Sequence, residues 1–147
     1  MRINALRHVV FVFAVANGIS VASAAPTSYL CALDEMTGFS YDKSLKQWHA
    51  TNFRASKKFI LSRSKQQKFA WEVTEVGSTL PGAACEKDFN ESGNIFCTGL
   101  FELRFNRNQL RFLYFHAIGY WNDDNSSDLF KEGSNTPAIG IGKCSPL

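Results

Sequence analysis

The chain has 147 residues, 45% of them hydrophobic and 14% aromatic, with 16 Lys and Arg against 13 Asp and Glu. That length suits one domain able to bury a core of its own. Setting aside residues 1–24 removes Arg2 and Arg7 and leaves 14 basic against 13 acidic side chains, a balance that excludes a dedicated nucleic-acid binder.

Residues 1–24 carry the parts of a cleavable export signal in the right order. Arg2 and Arg7 give a positive start, an unbroken apolar run follows over residues 9–16, and Ala22-Ser23-Ala24 supplies small residues for signal peptidase. The run is shorter than the ~20 apolar residues a membrane span needs, and no later segment reads as transmembrane. Cleavage would leave Ala25-Pro26, with no cysteine to carry a lipid. The expected mature product is one soluble, monomeric domain, residues 25–147, periplasmic or secreted.

All four cysteines, Cys31, Cys85, Cys97 and Cys144, lie beyond the signal. Four cysteines allow three pairings. The favoured one joins Cys31 to Cys144, tying the two ends of the domain, and Cys85 to Cys97, closing a short loop that contains Gly and Asn. On the chain-entropy model the long closure stabilises most, by ~3 to 5 kcal/mol. No Cys-x-x-Cys or His-x-His occurs, so the thiols point neither to a metal site nor to a redox pair, and no cofactor is implied.

Along the mature chain, apolar positions recur at a spacing of two more often than three or four, which predicts strands. Residues 28–36 are the one stretch that could form a turn or two of helix. Residues 39–41 and 48–51 form a hairpin about a turn at 42–46. Residues 59–61 and 69–75 form a second about 64–67, with Phe69, Trp71 and Val73 on one face and Glu72 and Thr74 on the other. Leu80-Pro81-Gly82 marks a strong turn within residues 77–84, leading into an irregular loop between Cys85 and Cys97. A third hairpin pairs residues 101–105 with 110–118 about a turn at 106–109. Leu110 to Tyr120 is apolar on both faces, as in a central strand covered on both sides. A long polar connection over residues 122–135 precedes a short strand, residues 138–142, whose glycines suggest a close backbone approach or a bend. Six or seven strands result. They define an all-β domain, a small antiparallel barrel or sandwich of hairpins with two disulfides.

Few residues offer chemistry. His49 alternates against Trp48 and points to solvent, whereas His116 shares a strand face with Phe112, Tyr114 and Ile118, an ionisable ring among apolar neighbours. Trp48 and Trp71 read as core. Tyr120 and Trp121 stand at a strand exit beside a polar loop, where an apolar ring with a polar edge suits a sugar or a partner's side chain. Asp123-Asp124-Asn125-Ser126-Ser127-Asp128 begins like a calcium loop but lacks Gly at the sixth position and Glu at the twelfth. Among Glu72, Glu75, Glu102 and Asp124 nothing sets two apart as a glycosidase pair. Asn90-Glu91-Ser92 and Asn125-Ser126-Ser127 are sequons only in a eukaryotic host. The acid-free run from Lys43 to Lys68 reads as solvated hairpin faces, with attraction to an anionic surface such as lipopolysaccharide as the functional alternative.

Cys31-Ala32-Leu33 with Thr37-Gly38-Phe39-Ser40-Tyr41, the Lys46-Gln47-Trp48 to Asn52-Phe53 stretch, Lys58-Phe59-Ile60-Leu61, Leu110-Arg111-Phe112 to Gly119-Tyr120 and the ending Ile139-Gly140-Ile141-Gly142-Lys143-Cys144-Ser145 resemble a group of short exported bacterial proteins of uncharacterised function. The resemblance implies a bacterial periplasmic or secreted setting and carries no activity. Size and disulfides also compare with small exported lysozyme inhibitors, at the level of fold alone and without a shared motif. Two functions remain. One is a non-enzymatic binding domain that engages a protein or an envelope glycan through Tyr120, Trp121 and the adjacent loop, with His116 as a further contact. The other is a small periplasmic hydrolase using His116 with a carboxylate.

Overall fold

In a computed structural model, residues 26–118, 120, 133 and 135–147 are described. They form nine strands: β1 (Ser28–Asp42), β2 (Gln47–Phe53), β3 (Lys58–Arg63), β4 (Trp71–Glu75), β5 (Ala83–Cys85), β6 (Asn94–Gly99), β7 (Glu102–Asn106), β8 (Arg111–His116) and β9 (Ala138–Pro146). Every pairing is antiparallel, and β1 bonds to β9, so eight strands close into a barrel rather than a sandwich. β2 stands outside the ring. It pairs with the second half of β1, while β3 and β9 flank the first half.

Residues 28–36 belong to β1 and form no helix. Tyr29, Cys31 and Leu33 are buried and alternate with half-buried Leu30 and Ala32, the two-residue period of a strand. The acidic pair that follows disguises this. A bulge between Leu33 and Glu35 shifts the register by one residue, so Glu35 pairs with Ile141 facing out while Met36 pairs with Gly140 and packs against the core. Without that extra residue, strict alternation would point a carboxylate inward.

β5 and β6 were not expected as strands. In β6, Ile95 and Cys97 are buried while Phe96 faces out, so the irregular stretch after Cys85 covers only residues 86–93. Both disulfides form as expected. Cys31–Cys144 locks the β1–β9 closure at directly opposed positions, and Cys85–Cys97 staples β5 to β6.

The interior is filled by side chains that point inward from alternate positions of the strands. Phe59 lies at its centre, with ring centroids 5.2 Å from Phe101, 5.5 Å from Tyr114 and 6.2 Å from Phe112. Trp71 is in this core as expected, whereas Trp48 is half-buried on β2, outside the ring. The β9 glycines do permit close approach: a Cβ on Gly142 would lie 2.3 Å from the Ala32 carbonyl oxygen and 2.4 Å from the Phe112 ring.

A barrel has one interior, so β8 is not covered on both sides. Phe112 and Tyr114 fill the core, but Leu113 is 38% exposed on the outer wall.

The two disulfides close loops of very different length, 113 and 12 residues of separation. Urea unfolding should show that replacing Cys31 and Cys144 by Ala costs about 5 kcal/mol and replacing Cys85 and Cys97 about 3 kcal/mol. A reversed order would mean that the β1–β9 seam contributes less than its loop length demands.

Candidate functional site

The expected site residues fall in two places. His116 ends β8 opposite Ala138, half-buried, and its Nδ1–H donates to the Thr136 carbonyl at 3.2 Å. A carbonyl can only accept, so Nδ1 is the donor in this contact. Tyr120 is 68% exposed, and its ring meets Trp48 of β2 edge-on at 5.6 Å; Trp48 lies 5.2 Å from Tyr41 of β1. Trp121 and residues 123–128 lie outside the described residues, as does the expected signal. His49 is exposed on β2, as expected.

Tyr41 and Trp48 are directly paired across β1 and β2, and Phe39, 52% exposed, lies two residues back on the same face of β1. Thr37 continues that face and pairs with Ile139 of β9, which pairs in turn with Phe115 of β8. One row further along the wall, Phe96, Arg104, Leu113 and Ile141 stand side by side across β6, β7, β8 and β9. Phe96 is 57% exposed, Ile141 49% and Ile139 40%. The aromatic pair at Tyr120 is therefore one end of a longer apolar face along the outside of the barrel.

Charge is threaded through this wall rather than absent from it. The Arg104 guanidinium lies 5.0 Å from the Phe115 ring and 6.0 Å from the Phe96 ring, and it donates to Glu102 at 3.2 Å. Lys143 faces Asp34 at 3.7 Å. Two shallow grooves, of about 420 and 490 Å³, run over the wall and share Asp34 and Ile141.

The barrel's two ends differ. At the end where β3 meets β4, Asp88 accepts from the Trp71 indole N–H at 2.8 Å, from Arg63 at 2.6 Å and from the Phe89 amide at 2.7 Å. Arg63 stacks on Trp71 and Arg107 on Phe89, and Phe89 packs edge-on against both Trp71 and Phe105. This end is plugged. At the other end a cavity of about 590 Å³ opens among Met36, Lys57, Glu75, Leu80, Phe101, Tyr114 and His116. Lys57 donates to Glu75 at 2.8 Å. Tyr114, only 3% exposed, has its pKa pushed up to about 12, by burial first and by the Glu75 charge second.

Two glycines shape this mouth. A Cβ on Gly38 would sit 2.1 Å from the Pro137 carbonyl oxygen, so glycine lets residues 136–138 approach β1 and bring the Thr136 carbonyl to His116. A Cβ on Gly82 would lie 2.4 Å from the Phe101 ring, so glycine lets the β4–β5 turn cross that ring.

The carboxylates considered for hydrolysis are engaged separately: Glu72 accepts from Ser64, Glu75 from Lys57 and Glu102 from Arg104. Among the described residues no three His, Cys, Asp or Glu gather as a metal site. Nor is any described helix long and apolar enough to cross a membrane. The basic run disperses over the β1–β2 turn, the β2–β3 connection, β3 and the β3–β4 turn, with Lys57 and Arg63 in ion pairs. Comparison with protein families, with curated proteins and with solved structures finds no match.

The outer-wall face was missed in the sequence, although its signal is there: Ile95-Phe96 and Phe112 to Phe115 are apolar on both faces of their strands. A covered central strand and an exposed binding face produce the same pattern.

Asp88 offers a test of the plugged end. Burial raises its pKa, but the hydrogen bonds from Trp71, Arg63 and Phe89 together outweigh burial and hold the carboxyl below its usual range. A depressed folded pKa gives stability that is complete above the unfolded value, ~4, and is lost as pH falls through the folded one. The stability difference between wild type and Asp88→Asn should thus be constant above about pH 4 and shrink below it. A difference that stays constant on further acidification would show that Asp88 is not held low.

Proposed function

We propose that this protein is an exported, non-enzymatic binding domain that engages a protein partner through the outer wall of β6 to β9 and the adjoining β1–β2 ribbon. One observation carries this reading: Phe96, Leu113, Ile139 and Ile141 lie exposed on neighbouring strands of one face, where alternation would ordinarily place polar groups. An apolar centre with interleaved Arg104 and a charged rim has the composition of a protein-binding surface. The two disulfides support an oxidising compartment, which agrees with an export signal in residues 1–24 and with a periplasmic or secreted bacterial setting. Tyr120 extends the same face through Trp48.

The hydrolase reading has less support. Its base would be His116, whose ring is oriented by a backbone carbonyl, and Glu75 at the same mouth is already paired with Lys57. An envelope glycan would use the ring faces near Tyr120 rather than the aliphatic row.

Pull-down from envelope extract tests the surface. A partner held by wild type should be retained less than about one-tenth as well by Leu113→Glu/Ile141→Glu, because burying a carboxylate in an apolar contact is costly. Undiminished capture by that variant would refute the outer-wall reading. Co-sedimentation with purified peptidoglycan that depends on Tyr120 and not on Leu113 would favour the glycan instead.

A further inference from the structure

Closing a barrel abolishes sheet edges, and β2, outside the ring, brings one back: among the described strands only β1 pairs with it. The direction of its backbone groups follows from β1. The Phe39 amide donates to the Pro137 carbonyl at 2.9 Å, away from β2, so Phe39 and Ala50 form one of the non-hydrogen-bonded pairs of the β1–β2 ladder. Ala50 therefore turns its N–H and C=O to the outer edge, and alternation turns those of Asn52 the same way. Both residues are exposed, and the one described hydrogen-bonding contact at these groups is the Thr51 hydroxyl, 3.5 Å from the Asn52 carbonyl. We propose that this edge receives an extended, acidic segment of a protein partner as a further antiparallel strand. The proposal rests on the protein-binding reading above for the kind of partner, and not on the outer wall.

Edges that must stay unpaired are usually blunted by a proline, a charge or a bulge. β2 contains no Pro, Lys, Arg, Asp or Glu and keeps its register with β1 from Gln47 to Phe53. Charge stands at its two ends instead. Lys46 and Arg54 flank the strand, both exposed and neither in an ion pair among the described residues, and no acid occurs from Lys43 to Lys68. Asp42, across the turn, accepts from the Ser44 and Leu45 amides. These ends decide the occupant. A second copy of β2, paired antiparallel about Ala50, would set Lys46 against Arg54 twice, and like charges directly opposite are destabilising. A segment with a carboxylate at each end meets both cations, while the ladder supplies backbone bonds between them. Trp48, Ala50 and Asn52 share a face of β2, so apolar side chains at alternate positions of the segment lie on the Trp48 side.

A symmetric probe tests this: the acetylated, amidated peptide ETVTVTVTE, whose end glutamates match the spacing of Lys46 and Arg54. Titrated into the 15N-labelled, oxidised domain, residues 25–147, it should shift the amides of residues 47–54 saturably and slow hydrogen exchange at Ala50 and Asn52. The lysine-ended peptide KTVTVTVTK should bind about tenfold more weakly. Methylating the backbone nitrogen of the central valine, which faces β2, should abolish binding, whereas methylating that of the threonine beside it should not. Ala50→Pro removes an edge donor without removing a β1–β2 bond and should raise Kd about tenfold. Lys46→Glu/Arg54→Glu should bind the lysine-ended peptide in preference. The proposal is overturned if residues 47–54 show no saturable shift, if the two peptides bind alike, or if the two methylated peptides bind alike. It is also overturned if the free domain sediments as a dimer that Ala50→Pro dissolves, which would give the edge to a second copy. Failure here leaves the outer wall to its own pull-down, and failure of that pull-down leaves this titration to stand.

Discussion

The pairing of β1 with β9 is the constraint on which everything else rests. It runs from Tyr29 opposite Pro146 to Gly38 opposite Ala138 and joins the first and last strands of the domain. Closing a ring over that length costs loop entropy before any core contact is gained, and Cys31–Cys144 removes much of that cost by holding the seam covalently. Closure then dictates the interior. Eight strands enclose one packed interior, so only alternate residues of each strand can be buried, and the rest must meet solvent or a partner.

That division accounts for the features with functional meaning. The seam fits because Gly140 and Gly142 leave room for Leu33, Phe112 and the β1 backbone, and because the bulge after Leu33 turns Glu35 outward. Beyond the bulge, β1 runs past the ring and pairs with β2, which carries Trp48 and holds Tyr120 against it. The core residues of β8 reach the open end as Tyr114 and His116, while the same strand presents Leu113 and Phe115 to the outside. A plugged end, an open end and an apolar wall thus follow from one closed sheet.

Most of the fold was legible in the sequence. Phe101, Leu103 and Phe105 against Glu102 and Arg104 announce a half-buried strand, and all three are in the core. The disulfide pairing followed from which closures were useful. Other elements were hidden for identifiable reasons. β1 was obscured by Asp34 and Glu35, because a bulge breaks the period of two on which strand recognition depends. β6 was hidden by Gly93 and Asn94, turn-forming residues at its start, and β5 is only three residues long. Of the candidate site, Tyr120 and His116 could be singled out, but not that they serve different places. The outer wall could not be told from a covered strand, since apolar residues on both faces fit either one until closure shows that only one side is inside.

The closure itself is open to direct measurement by amide hydrogen exchange on the oxidised domain, residues 25–147. If the β1–β9 seam is the last structure to open, its central amides will exchange only through global unfolding, with the same free energy as the protected amides of β3 and β8. Exchange of the seam through local opening, at rates like those of the turn at residues 64–70, would show that the barrel stands without it and would contradict this account.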